Sequence, residues 1–258
     1  MHKVAIKVFG FSIYWYGILV AMGFILGFWT AGRRARKAGL DPEKIMDLGP
    51  WLLLGAIVGA RTLHVLSYWR EEFQGKPFIE MFKIQNGGLV FYGGFIGASL
   101  ATILYARWKK IPLWLLADVL APSIPLGHFF GRLGCLMTGC CYGLPTTLPW
   151  AIHFPLDHET RGEGVHPVQI YESLLNLALY SFLEWFFPRR KNTGQIFALY
   201  LILYSLVRGF TELFRGDYHT DELILNGLLK PGQFVSLFLV VIGIVLLWKS
   251  PKFKPRPA

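Results

Sequence analysis

The sequence predicts an all-α integral membrane protein with seven transmembrane helices, and three observations support this fold class. Hydrophobic residues make up 53% of the 258-residue chain and charged residues only 16%, well below the roughly 25% of a soluble domain. Several apolar runs approach or exceed the roughly 17–20 residues that cross a bilayer. Basic residues cluster in alternate short loops between these runs. The sequence contains no internal repeat, and we expect a single membrane domain over residues 1–258.

Each apolar segment is expected to form one transmembrane helix. No small-residue cleavage site follows the first segment, so it should remain in the protein and not be removed as a signal peptide. Pro122 and Pro125 in the fourth segment remove backbone donors, which predicts a broken or kinked helix. The last segment is short, and its start after Pro231 is the least defined. The predicted segments are 11–31, 48–68, 87–106, 113–134, 168–187, 195–214 and 232–248.

The basic loops predict the orientation of the chain in the membrane. Because Lys and Arg accumulate in cytoplasmic loops, the N-terminus should lie outside and the C-terminus in the cytoplasm. The loops near 69–86, 135–167 and 215–231 then face outward, and the proline- and glycine-containing loop 135–167 should form a small irregular cap. The net charge of +10 fits a membrane rich in anionic lipid, and we expect no nucleic-acid partner. The basic clusters are Arg33, Arg34, Arg36 and Lys37; Arg107, Lys109 and Lys110; Arg189, Arg190 and Lys191; and Lys249, Lys252, Lys254 and Arg256.

Charged side chains inside the predicted membrane segments are the strongest functional signal in the sequence. Such groups are energetically expensive in a bilayer and usually face a cavity or a partner. Arg208, Glu212 and Arg215 recur at spacings of four and three, so they share one helical face. An internal ion pair would explain the first two of these, and Arg215 could instead extend to the interface. The charged positions inside or beside these segments are Arg61, Asp118, Arg132, Glu172, Arg208, Glu212 and Arg215.

The arginines in three different segments predict an anion-binding site. Arg61, Arg132 and Arg208 have too few acidic residues at matching depth, with Glu172 and Glu212 as the expected neighbours. The abundant anion of a membrane is the phospholipid phosphate, which a guanidinium group matches with two parallel hydrogen bonds.

The third segment opens with two glycine pairs on either side of Tyr92. Glycines such as Gly93 and Gly94 allow lipid to approach closely, although tight helix packing explains them equally well. A tyrosine near the interface is ordinarily an aromatic anchor. Beside an arginine, its phenol could also accept a proton during a reaction.

A set of motifs in fixed order gives the chain a family resemblance over nearly its whole length. The order and spacing of these motifs resemble the prolipoprotein diacylglyceryl transferase family. The motifs are Tyr16-Gly17, Gly59-Ala60-Arg61, GGLVFYGG at 87–94, Asp118, Ala121-Pro122, Pro125-Leu126-Gly127, Gly131-Arg132-Leu133-Gly134, HPVQIYE at 166–172, Arg208 with Glu212 and Arg215, and Gly232-Gln233.

The resemblance implies an enzyme of the bacterial cytoplasmic (inner) membrane. It implies that a diacylglyceryl group passes from phosphatidylglycerol to the lipobox cysteine thiol of a prolipoprotein signal peptide, with release of glycerol phosphate. Membrane lipids are the other expected partners, and we expect no cofactor and no metal ion. Residues expected to act in catalysis are Tyr92, Arg132 and Arg208. Residues expected to contact the substrates are Arg61, Gly93, Gly94, Cys135, Cys140, Gly143, His166, Glu172, Glu212 and Arg215.

The chain departs from the family pattern in two places. The family signature usually runs glycine-arginine-x-glycine-asparagine, followed by asparagine and glutamate, and these three polar positions are here Cys135, Thr138 and Cys140. The histidine proposed as the base in the family falls on Tyr92. The cysteines could be small packing residues, a Cys135–Cys140 or Cys135–Cys141 disulfide, or a covalent intermediate on Cys140. A metal site is less favoured because a fourth ligand at typical spacing is absent from the sequence.

These departures leave two further functions open. A relative on the same scaffold could use a phospholipid donor with a different acceptor. A non-enzymatic lipid-binding protein could keep the arginines and lack the chemistry.

Overall fold

The computed structural model of the protein describes residues 4–8, 11–84, 87–217 and 230–249, and within them the fold is mainly helical. The predicted basic residues Lys252, Lys254 and Arg256, and most of the predicted outer loop 215–231, lie outside the described residues. The α-helices are α1 (Trp15–Lys37), α2 (Pro42–Ser67), α3 (Phe91–Trp108), α4 (Leu113–Leu120), α5 (Ser123–Thr138), α6 (Val168–Phe186), α7 (Gln195–Glu212) and α8 (Pro231–Lys249).

Every predicted apolar segment contains a helix, but the number of crossings stays a prediction. Among the described residues, four helical stretches are long and apolar enough to cross a membrane: 15–37, 42–67, 113–138 and 232–249. The first helix begins four residues later than the predicted segment, because residues 11–14 form a strand. It also continues to Lys37, so the first basic cluster lies in the last turns of α1 and not in a loop.

Neighbouring helices pack antiparallel through glycines. A Cβ atom added to Gly59 of α2 would lie 2.3 Å from the Gly93 carbonyl oxygen of α3, and the same close approach recurs between Gly55 and Gly97. These contacts leave no room for a side chain on either helix. The alternative that the glycines serve tight helix packing is therefore supported for Gly93.

The predicted helix break occurs at Pro122, where α4 ends and α5 begins. Arg34 of α1 is fully buried beside this break and donates through Nε to the Val119 carbonyl oxygen at 2.9 Å. The same guanidinium forms an ion pair with Glu184 of α6 and a hydrogen bond with Ser123. The prediction of a loop position for Arg34 is wrong, because its side chain satisfies the polar groups that the broken helix exposes.

The hydrophobic core lies near the end of the bundle that carries the basic loops. It joins the last turns of α1, α3, α4 and α6 to the first turns of α2 and α7. Fully buried members include Ala31, Leu48, Val119, Leu183 and Ile196. The opposite end of the bundle is consequently free to hold a polar cavity.

Two small antiparallel sheets and irregular turns cover that opposite end. Strands β1 (Val4–Val8) and β2 (Phe11–Tyr14) form a hairpin before α1. Strands β3 (Ile152–His153) and β4 (Gly164–Val165) pair within the predicted cap. The cap begins at Gly139 and not at residue 135, because α5 runs to Thr138 and ends in a left-handed glycine.

Candidate active site

A cavity of about 420 Å³ opens between α5, α7 and α8 at the end of the bundle that bears the cap. Arg132 and Arg208, two of the residues expected to act in catalysis, both line it. Apolar side chains form another part of the wall, including Phe91 and Val235, which are 76% and 41% exposed. The cavity therefore joins a cationic wall to the exposed apolar surface, an arrangement that suits an amphipathic ligand.

Two buried glutamates connect the arginines. Arg132 Nη2 lies 2.9 Å from Glu172 Oε1, and Arg208 Nη1 lies 3.6 Å from Glu172 Oε2. Arg208 Nη1 also lies 2.9 Å from Glu212 Oε2. The glutamate side chains are 1% and 0% exposed, whereas the arginine side chains retain 20% and 14% exposure. The carboxylates thus lie behind the guanidinium groups, and the positive charge faces the cavity.

Arg215 continues this network away from the cavity. Its guanidinium lies 3.6 Å from Glu212 and forms two hydrogen bonds, of 2.9 and 2.7 Å, with Asp217. Lys230 Nζ donates to the main-chain carbonyls of Glu212 and Arg215. A Cβ on Gly232 would lie 2.6 Å from Glu212 Oε1, so the start of α8 packs closely against this carboxylate. Arg215 is 9% exposed. The alternative that its side chain extends to the membrane interface is therefore wrong.

The expected surplus of arginines over acids is not found for Arg132 and Arg208, because Glu172 and Glu212 pair with them. Arg132, Arg208 and Arg215 share Glu172, Glu212 and Asp217 in one alternating chain. This chain of ion pairs explains how three guanidinium groups are tolerated at the edge of a membrane segment. The positive character of the cavity wall therefore comes from the exposed side of these ion pairs and not from an excess of arginines.

Arg61 lies outside this network, contrary to the sequence analysis. Its guanidinium donates to four main-chain carbonyl oxygens, those of Glu80, Met81, Gly87 and Gly88, at 2.7–3.1 Å. It does not line the cavity. Arg61 instead fixes the segment that leads into α3, so its effect on the site is through positioning.

Tyr92 lies on the cavity wall in the first turn of α3 and is 60% exposed. Gly93 is buried against Gly59 of α2, and Gly94 also faces α2, where its Cβ would lie 3.4 Å from the Ala56 carbonyl oxygen. Neither glycine lines the cavity. The two glycines bring α3 close to α2 and so hold Tyr92 in place. They were expected to contact the substrate, and in the structure they contact α2 instead.

The three cysteines of the chain converge at the end of α5. Their Sγ atoms all lie within 4.8 Å of one another, and none forms a disulfide. Cys135 lines the cavity, whereas Cys140 is exposed. Hydrogen bonds from the neighbouring Cys135 and Cys141 thiols lower the pKa of Cys140. The cluster is thus an open group of thiols beside the cavity.

Gly143 and His166 belong to the cap and not to the cavity wall. The Gly143 amide donates to the His166 carbonyl oxygen at 3.1 Å, and Gly143 also pairs with Arg215 in a single β-bridge. The His166 ring packs on Phe214 at a centroid distance of 5.3 Å. These two positions attach the cap to the end of α7 and thereby to the arginine network.

Several residues of the cavity wall were not identified as site residues from the sequence, and two of them lie next to the arginines. His128 and Tyr204 line the cavity, with ring centroids 5.1 Å apart. His128 precedes Arg132 by four residues, and Tyr204 precedes Arg208 by four. Each therefore lies one turn below a predicted arginine on the same helical face, and this spacing could have revealed both.

The fold and site define a helical membrane protein with a cavity that has a cationic and an apolar wall. A sequence model of the family "Prolipoprotein diacylglyceryl transferase" matches residues 3–249. The chain is 37% identical to the phosphatidylglycerol–prolipoprotein diacylglyceryl transferase of Finegoldia magna, over 98% of this chain and 97% of the relative. It is 38% identical to the Synechococcus elongatus enzyme of the same name, over 92% and 83%. It is 34% identical to a Clostridium perfringens enzyme, whose name carries the number 2, over 99% and 98%.

The chain belongs to the prolipoprotein diacylglyceryl transferase family. Its membership covers the described helices and the cap alike, since the matched residues run from the first strand to the end of α8.

Proposed function

We propose that this protein transfers a diacylglyceryl group from phosphatidylglycerol to the lipobox cysteine of a prolipoprotein signal peptide. The observation that carries the proposal is the pair Arg132 and Arg208, which come from different helices and face one cavity with an apolar wall. The relatives named for this reaction match nearly the whole chain. A lipid phosphate fits the cationic wall, and its acyl chains fit the exposed apolar side.

In this reaction the acceptor thiolate attacks the glyceryl carbon that is bonded to the phosphate oxygen. A carbon–sulfur bond forms, the carbon–oxygen bond breaks, and the electron pair stays on the oxygen of the departing glycerol phosphate. Negative charge therefore grows on the phosphate group. Arg132 and Arg208 donate to that group, and preorganised donors of this kind lower the barrier because they gain strength as the charge develops.

Glu172 and Glu212 act as positioning residues in this proposal. Each carboxylate is buried and contacts two guanidinium groups, which fixes the donors relative to each other. Fixed donors lose little entropy when the lipid binds. The cap residues Gly143 and His166, through Arg215, hold the far end of the same network.

The proton of the acceptor thiol needs a group to receive it. Tyr92, the candidate from the sequence, lines the cavity at the family's histidine position. The structure adds His128, whose imidazole also lines the cavity next to Tyr204. His128 is therefore a second candidate for the proton acceptor, beside Tyr92.

We place the protein in the bacterial cytoplasmic membrane with seven crossings, the N-terminus and cap outside, and the C-terminus in the cytoplasm. The positions of the basic loops support this topology. A phosphatase reporter, which is active only outside the cytoplasm, tests it. It should be active when fused after Trp150 in the cap and inactive when fused after Lys249; the reverse pattern contradicts the orientation.

A transfer assay distinguishes this function from its two alternatives. Purified protein receives phosphatidylglycerol labelled in its acyl chains together with a peptide that contains a lipobox cysteine. Label on the peptide cysteine is the expected result, and a peptide with serine in place of that cysteine should stay unlabelled. Consumption of lipid without peptide labelling would indicate a different acceptor. Binding without any turnover would indicate a lipid-binding protein.

A further inference from the structure

The thiol cluster formed by Cys135, Cys140 and Cys141 contains every cysteine of the chain. Cys135 is in the last turn of α5, and the other two follow in the turn after the helix. Among the described residues, these three are the only group of His, Cys, Asp and Glu side chains whose ligand atoms converge closely enough to hold a metal ion.

The backbone holds this convergence in place. Gly139 and Cys141 have φ angles of +85° and +60°, so the chain reverses directly after the helix and returns over it. The Cys140 amide donates to the Cys135 carbonyl oxygen at 3.2 Å. The Gln169 amide group donates to the Cys140 carbonyl oxygen at 2.8 Å and anchors the turn to α6.

The sulfur spacing matches a three-coordinate metal site. Three thiolates around an ion at a metal–sulfur distance of about 2.3 Å have sulfur atoms about 4 Å apart. The three sulfur atoms lie within 4.8 Å of one another, so small side-chain rotations would bring them to this spacing. Packing alone does not explain the cluster, because Cys140 is exposed.

We propose that Cys135, Cys140 and Cys141 form a three-thiolate site for a soft, thiophilic cation, with Cu(I) as the best-matched ion. Thiolate ligands select soft cations, and Cu(I) accepts three-coordinate geometry without a fourth protein ligand. On binding, each thiol releases its proton to solvent and forms one sulfur–metal bond, with no change in oxidation state. The exposed Cys140 provides the entry path.

The cluster adjoins the positive charge of the cavity wall. Arg132 lies one helical turn before Cys135, and both side chains line the cavity. Three thiolates and one Cu(I) carry a net negative charge, which a neighbouring guanidinium group partly offsets.

Titration of the reduced, detergent-solubilised protein with Cu(I) in the absence of oxygen tests the proposal. We expect one Cu(I) per chain, a thiolate-to-metal charge-transfer band, and three sulfur neighbours by X-ray absorption. Because the chain contains only these three cysteines, a thiol-reactive dye should label three sites without Cu(I) and almost none with it.

Matched variants complete the experiment without any measurement of transfer activity. Cys140→Ser should weaken Cu(I) binding at least tenfold, and the triple Cys→Ser variant should abolish the band. Thr138→Val leaves all three ligands and should still bind one Cu(I). Equal binding by wild type and the triple variant, or three thiols that stay fully reactive in the presence of Cu(I), would overturn the proposal. So would a disulfide that persists in the reduced sample. Circular dichroism confirms that each variant is folded.

Discussion

At the scale of single residues, the site depends on shared carboxylates. Glu172 contacts Arg132 and Arg208, and Glu212 contacts Arg208 and Arg215. A buried carboxylate between two guanidinium groups removes most of their mutual repulsion and sets their separation. The donors that face the cavity are consequently positioned before a lipid arrives.

Glu172→Gln tests this positioning role. The substitution keeps the shape of the side chain and removes its charge, so the two arginines lose their common anchor. We expect kcat to fall about a hundredfold, the size of effect seen when reacting groups are misplaced by about 1 Å. KM for phosphatidylglycerol should stay unchanged or fall, because the cavity becomes more positive. Glu159→Gln, at an exposed position on the cap, is the matched control and should transfer at the wild-type rate. An unchanged kcat with a raised KM would contradict the assigned role.

The proton acceptor can be identified from the transfer rates of two variants. If His128 accepts the thiol proton, His128→Asn should slow transfer by about 10²–10⁴-fold, the usual contribution of a general base. Tyr92→Phe should then transfer at close to the wild-type rate. The reverse pattern, with slow transfer by Tyr92→Phe and wild-type transfer by His128→Asn, would assign the proton to Tyr92.

Some of these residues could be predicted from the sequence and others could not. Arg208 and Glu212 were predicted as neighbours because a spacing of four residues fixes their geometry within one helix. The role of Arg61 was missed because its partners are main-chain carbonyls of a distant loop, and carbonyl groups leave no signal in a residue pattern.

At the scale of elements, the pair α2 and α3 supports the cavity from one side. Gly59 and Gly93 let the two helices touch through their backbones. Because Tyr92 is adjacent to Gly93, this contact also fixes the position of Tyr92 at the cavity. Arg61 adds hydrogen bonds that fix the connection between the two helices. This pair is therefore expected to affect the reaction through its packing.

Gly59→Ala tests the packing of α2 against α3. Its Cβ would lie 2.3 Å from the Gly93 carbonyl oxygen, so the helices must separate. We expect destabilisation of about 1–3 kcal/mol, as for other overpacked sites, measured by thermal unfolding in detergent. Gly209→Ala on α7 meets nothing within 4 Å and is the matched control, with unchanged or slightly higher stability. Equal stability of the two variants would show that α2 and α3 are not held together this way.

Arg61→Ala tests whether Arg61 positions the loop or contacts the lipid. Loss of four hydrogen bonds should loosen the segment before α3, which limited proteolysis detects as faster cleavage between residues 76 and 90. We expect only a modest loss of transfer, about tenfold, because preorganisation is reduced while the phosphate keeps both of its donors. A loss of transfer as large as that of an Arg132 variant, with no change in proteolysis, would instead indicate that Arg61 contacts the lipid directly.

Element boundaries were predictable where local chemistry determines them. The break before α5 follows from Pro122, and the end of α5 from the left-handed Gly139. The extension of α1 to Lys37 was not predictable from hydropathy, because it depends on Glu184 and on the carbonyl that the α4–α5 break exposes.

At the scale of the whole molecule, the bundle is divided between a packed end and an open end. The hydrophobic core holds the helices together near the basic loops, while the ion-pair chain and the cavity occupy the end beneath the cap. Hydropathy predicted the helices and their order, because the insertion of a helix into a membrane depends on its hydrophobicity. The convergence of Arg132, Glu172 and Arg208 from α5, α6 and α7 was predicted from the cost of burying charge in a membrane segment, but their pairing distances depend on tertiary packing.

The central claim is that Arg132 and Arg208 together hold the phosphate that leaves during diacylglyceryl transfer. Transfer of labelled diacylglyceryl from phosphatidylglycerol to a lipobox peptide, measured for Arg132→Ala, Arg208→Ala and the double variant, tests it most directly. Each single variant should lower kcat/KM by about 10²–10³-fold, and the double variant by less than the product, because the two donors act on one group. Wild-type transfer by either single variant would contradict the account.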